Sequence, residues 1–180
     1  MGEARRNGCT CPEGLRGLGD PDRLRRCHDA ASDVSRASRP PPSAEQEAAA
    51  SALFGFLGAA FLVAAADGCV SESEVRQFAD VLGVLSGGVL TQPTVEDATD
   101  DWAALLAEDG YETSLAGLGE VLVGEDRRLA YEIACGVAFA DGSLSHEEDA
   151  VLADLARALS IHEADAASIR GDVERVAAAS

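Results

Sequence analysis

An all-α domain is predicted by three observations. Strand-forming runs are scarce and aromatic residues make up only 4% of the 180 residues, while Ala and Leu are abundant. Apolar residues recur at helical spacing through most of the chain after residue 43. One eight-residue phrase that stops one helix and starts the next occurs twice: Asp67-Gly68-Cys69-Val70-Ser71-Glu72-Ser73-Glu74 and Asp141-Gly142-Ser143-Leu144-Ser145-His146-Glu147-Glu148. Aligned on Asp67 and Asp141, residues 60–85 and 134–159 agree at 11 of 26 positions without a gap. Such a repeat predicts two related helix–turn–helix units within an all-helical bundle.

Residues 1–43 are rich in Arg, Gly, Pro and Ser, lack helical periodicity and end near Pro40-Pro41-Pro42. They read as a disordered or loosely structured tail with a stiff polyproline exit, and residues 44–180 as the helical domain. Cys9, Cys11, Cys27 and His28 could offer soft ligands to zinc, but their spacing is no standard finger pattern, and incidental residues are the favoured reading. An odd total of five Cys does not suggest a disulfide framework. No signal-peptide pattern opens the chain, so the cytoplasm is the expected compartment.

Ser43 is an N-cap candidate for the first helix. From Ala48 to Ala66 the only polar residue is Ser51, a length that permits a membrane span. Nine of these 19 residues are Ala, however, and the C-terminal flank is acidic, so a buried central helix is the expectation. After the first phrase Val75, Phe78, Leu82 and Leu85 mark a helix with one core face, stopped by Ser86-Gly87-Gly88. A third helix is expected from Thr94 to about Ala107, with Trp102, Leu105 and Leu106 inward and Asp109-Gly110 as its end. A short helix follows over 114–123. Gly124-Glu125-Asp126 then opens the second central helix, with Cys135 in its core. Its partner runs from Ser145 to about Leu159 with Leu152, Leu155 and Leu159 inward, and a last helix spans 162–178.

Most of the repeated phrase is explained without a ligand. Gly68 and Gly142 fit the left-handed residue that ends a helix. Ser71 with Glu74, and Ser145 with Glu148, have the spacing of capping boxes. Asp67 and Asp141 fit less well, because a carboxylate at a helix C-terminus meets the negative end of the dipole. Two related copies could bring Asp67, Glu74, Asp141 and Glu148 together as an oxygen site for a hard divalent cation. An EF-hand is excluded, since its first two ligand positions would fall on Val63 and Ala65, then on Val137 and Phe139.

With its flanks, Ala64-Ala65-Ala66-Asp67-Gly68 and Ala138-Phe139-Ala140-Asp141-Gly142, the phrase resembles the TerB-like domain of tellurite-resistance protein B. The resemblance extends to Leu152, Leu155, Leu159 and Ile161 and covers about residues 45–162. It implies an all-helical domain of about seven helices with internal two-fold symmetry, used in bacterial stress and tellurite-resistance systems, with no enzymatic activity. It also implies a metal role for Asp67, Glu74, Asp141 and Glu148, and a protein partner.

Enzyme signatures are missing. Neither His146 nor His162 belongs to an H-E-x-x-H pair, no Glu-x-x-His is present, and no phosphate loop or dinucleotide fingerprint occurs. Cys69 is matched by Ser143 in the second copy and has no basic neighbour to activate it. Charge narrows the partners further: residues 44–180 carry six Arg against 26 acidic residues. A surface near −20 repels nucleic-acid phosphates and anionic membranes, leaving cations and proteins as counterparts. Membrane association is expected only peripherally, through such partners.

Overall fold

The computed structural model describes residues 43–66, 72–85, 88, 90–140 and 144–179. Among them are seven α-helices and no strand: α1 (Ala44–Ala64), α2 (Glu72–Leu85), α3 (Gln92–Asp109), α4 (Tyr111–Val121), α5 (Glu125–Ala138), α6 (His146–Ala158) and α7 (Glu163–Ala178). The tail expected over residues 1–43 lies, but for Ser43, outside the described residues.

Helix α1 starts where its sequence signals a cap. The Ser43 hydroxyl accepts from the Gln46 N–H at 3.2 Å, and the Gln46 side chain accepts from the Ser43 N–H at 2.9 Å. It is long and apolar enough to cross a membrane, but its apolar surface is spent on the fold. Phe56, Phe61, Leu62 and Val63 are all buried, as are Ala59 and Ala60. Its most extensive contact is with α5, and α3, α4 and α6 complete its surroundings. It is the core helix of the bundle.

Two glycines in α1 let neighbours approach closely. Trp102 of α3 lies flat on Gly58, where an added Cβ would stand 2.0 Å from the indole Cζ2. The indole is held there by a 3.0 Å hydrogen bond from Nε1 to the Phe54 carbonyl, and by stacking on the Phe54 ring at a centroid distance of 4.8 Å. Leu122, fully buried between α4 and α5, seats itself on Gly55 in the same way.

The α3 boundaries differ from expectation. The helix begins at Gln92 with Thr91 in the N-cap position, two residues before Thr94, because Pro93 fits the first turn, where its missing N–H costs nothing. Its inward face is Val95, Thr99 and Trp102, while Leu105 and Leu106 are only half-buried. Gly110, at φ 80°, ends α3 and directly opens α4, which therefore starts at Tyr111 and not at Ser114. The end of α4 is tied to α5 by Arg127, whose Nε donates to Leu122 O, just past the helix, at 2.7 Å and whose Nη2 donates to Gly119 O at 2.8 Å. In α6 Leu152 and Leu155 are fully buried as expected, with Leu159 just beyond it, and Cys135 of α5 is likewise in the core.

Candidate functional site

The two central helices end alike. At the end of α1, Ala65 sits at φ −91°, ψ 9° and its N–H donates to Phe61 O at 2.9 Å. At the end of α5, Phe139 sits at φ −91°, ψ 6° and its N–H donates to Cys135 O at 3.0 Å. These residues correspond in the repeat, and the next ones follow suit: Ala66 N–H bonds Val63 O at 3.1 Å and Ala140 N–H bonds Val137 O at 3.2 Å. The two central helices thus close in the same terminal turn, and in the sequence the Asp of a phrase follows directly after each.

On the far side of the second phrase the capping box forms as its sequence dictates. Ser145 Oγ accepts from the Glu148 N–H at 3.1 Å, and Glu148 Oε2 accepts from the Ser145 N–H at 2.8 Å. One oxygen of Glu148 is therefore committed to starting α6, and Oε1 is left for any other ligand. Of the four expected cation ligands, Asp67, Asp141 and the side chain of Glu74 lie outside the described residues, as do Gly68, Gly142 and Ser71. Among the described residues no group of three or more His, Cys, Asp or Glu side chains is placed to hold a metal ion.

Beside the second phrase the structure assembles a polar cluster that periodicity did not disclose. Tyr131 and Cys135, one turn apart on α5, are both fully buried. The Tyr131 hydroxyl lies beside the Cys135 thiol but meets no hydrogen-bond geometry. Arg170 of α7 faces both and binds Asp149 of α6. Burial is the largest single influence and opposes the Arg170 charge, yet the Asp149 bond together with the neighbouring Tyr131, Asp149 and Cys135 groups outweighs it and holds the guanidinium above its ordinary value. The available signal was an Arg placed among the inward positions Ala166, Ile169 and Val173 of α7. Next to this cluster, Phe139, Leu144, Arg170, Glu174, Ala177 and Ala178 line a cavity of about 390 Å³.

Burial pushes the Cys135 thiol up to about 12, with Arg170 drawing it back only in part. It pushes the Tyr131 hydroxyl in the same direction. Tyr111, half-buried and bonded through its hydroxyl to Asp154 at 3.2 Å, is raised to about 12 by burial and by that carboxylate. All three groups hold their protons more tightly when folded. Their contribution is complete below the unfolded values, 9.0 for the thiol and 10.0 for the phenols, and is lost as pH rises toward the folded ones. Denaturant midpoints are therefore expected to fall steadily above about pH 9. Tyr111→Phe should flatten that fall; an alkaline limb unchanged by this substitution would contradict the assignment. A thiol so placed is a core residue and not a nucleophile.

A comparison with protein-family models matches residues 46–171, from the first turn of α1 to the middle of α7, to the family described as Tellurite resistance protein TerB. Comparisons with curated proteins and with solved structures return no match. The matched stretch takes in both Asp-Gly phrases, both central helices that precede them and the capped helix α6. On that match over most of its length, the chain belongs to the TerB family.

Proposed function

We propose that this chain is a non-enzymatic, acidic module of a tellurite-resistance or stress-response system. In this reading Asp67, Glu74, Asp141 and Glu148 bind a divalent cation, and the loaded surface is presented to a protein partner. The observation that supports it is the matching exit of α1 and α5, at residues 65 and 139, each followed two residues later by the Asp of the phrase. The same match supports reading the bundle as two helix–turn–helix units about a pseudo-two-fold, α1–α2 and α5–α6. The cross-contacts fit this arrangement, since α1 packs on α6 as α5 packs on α2. A helix stop needs the Gly but not the Asp, whose charge is unfavourable by about 0.3–1 kcal/mol at an exposed helix C-terminus. Retaining Asp in both copies is what a hard-cation site requires.

A second reading is favoured by the use of Glu148 in the capping box: the phrase only joins helices, and the module is a structural adaptor. Titration calorimetry with Ca²⁺, Mg²⁺, Mn²⁺ and Zn²⁺ separates the two. The cation reading expects saturable binding of at least one ion, lost in Asp67→Asn/Asp141→Asn with the helical content unchanged. A flat response from the wild type, or one that survives the double substitution, selects the adaptor.

A further inference from the structure

Helix α7 is attached to the bundle through one face. Ala166, Ile169 and Val173 are buried along it, chiefly against α5, and Arg170 among them reaches Asp149 on α6. That spacing of i, i+3, i+4 and i+7 is the pattern by which an amphipathic helix occupies a groove. The connection back to α6 is short, residues 159–162. Within it the Ser160 N–H bonds Arg157 O at 3.0 Å and the Ile161 N–H bonds Ala156 O at 2.9 Å, a Schellman turn. Such a turn needs a left-handed residue, and Ser160 supplies it at φ 56°, the only non-Gly residue with positive φ among the described residues. Residues 146–178 contain no Pro and a single Gly, Gly171. With the turn opened, α6 and α7 can run on as one helix of ~50 Å, and Ser160 regains a right-handed conformation. A strained short hinge joining a helix to its bundle is a condition under which copies of a chain exchange that helix.

We propose that α7 is exchanged between two copies of this chain. Each α7 swings out about residues 159–162 and docks in the other copy's groove on α5 and α6, with Arg170 of one copy on Asp149 of the other. The contacts inside the groove are unchanged, and each hinge sheds its left-handed Ser. The formal charge of −18 per chain opposes pairing, so the dimer gains as salt screens it.

The charge pair gives a selective test. Asp149→Arg places two Arg side chains together within its own chain, and Arg170→Asp places two Asp together. In an exchanged heterodimer of these two variants both junctions again hold one Arg and one Asp. Refolded together, they are expected to yield a one-to-one heterodimer by light scattering, at a level several-fold above either variant refolded alone; two folded variants that stay monomeric when mixed overturn the proposal. The wild type tests it without disturbing the pair. Concentrated at high ionic strength it is expected to populate a dimer, which Ser160→Gly, by removing the hinge strain, reduces several-fold. A wild type monomeric at every concentration, or a dimer indifferent to Ser160→Gly, rejects the exchange.

Discussion

Gly58→Ala is expected to destabilise the fold by about 3 kcal/mol, at the upper end of the usual cost of overpacking. The added methyl carbon would stand 2.0 Å from Trp102 Cζ2 and 2.1 Å from Cε2, inside the indole and not at the end of a flexible chain. The ring has nowhere inexpensive to go. Retreat breaks the 3.0 Å bond from Nε1 to Phe54 O and unstacks Phe54. Trp102→Ala alone should cost about 3–5 kcal/mol through lost burial and the cavity it leaves. The two changes should not add. Once the indole is gone, the Gly58→Ala methyl group enters empty space, and its cost should fall below about 1 kcal/mol. Chemical denaturation of both single variants and the double variant measures this coupling. Equal costs for Gly58→Ala with and without Trp102 would mean that the indole does not rest on Gly58.

Gly119→Ala is the second large effect, an expected loss of about 2 kcal/mol. Here the obstacle is backbone: a Cβ would stand 2.5 Å from the carbonyl oxygen of Ala158, where α4 crosses the end of α6. Retreat of α4 is opposed, because Gly119 O also accepts from the Arg127 guanidinium of α5 at 2.8 Å. Gly117, two residues earlier on the same helix, has nothing within 4 Å of its would-be Cβ. Gly117→Ala should therefore stabilise by about 0.5–1 kcal/mol through helix propensity alone. Thermal or denaturant midpoints that move in opposite directions for these two substitutions support the close crossing of α4 and α6. Midpoints that rise for both would contradict it.

Local signals carried the element order. Ser43, Gly110 and the Ser145–Glu148 box each act within a few residues of themselves, and each caps or stops a helix as its chemistry requires. Periodicity alone places Leu152, Leu155 and Leu159 inward, and the Ala content and acidic flank of Ala48–Ala66 mark a core helix, observed as Ala44–Ala64. What sequence reading missed depends on residues far apart in the chain. Gly58 reads as a weak helix former until Trp102 is seen lying on it. Arg170 stands in the sequence without an evident partner until Asp149, Tyr131 and Cys135 are seen around it. The α3 start was misplaced because Thr91 and Thr94 are both capping types, and Pro93 between them is compatible with the first turn. Of the expected cation ligands, Glu148 was correctly read as the closing member of a capping box, and the repeat ties it to Glu74 by position. Asp67 and Asp141 carry the rest of the argument, as the residues of the phrase that a helix stop does not need.

The cation site is tested most directly by a crystal structure grown with Mn²⁺ and examined for anomalous scattering. The cation reading predicts one ordered ion with carboxylate oxygens of both Asp67 and Asp141 in its coordination shell, at roughly 2.0–2.6 Å for a hard divalent cation. No anomalous peak at the two phrases, or Asp67 and Asp141 carboxylates more than about 10 Å apart, would contradict it, since ligands at that separation cannot share an ion.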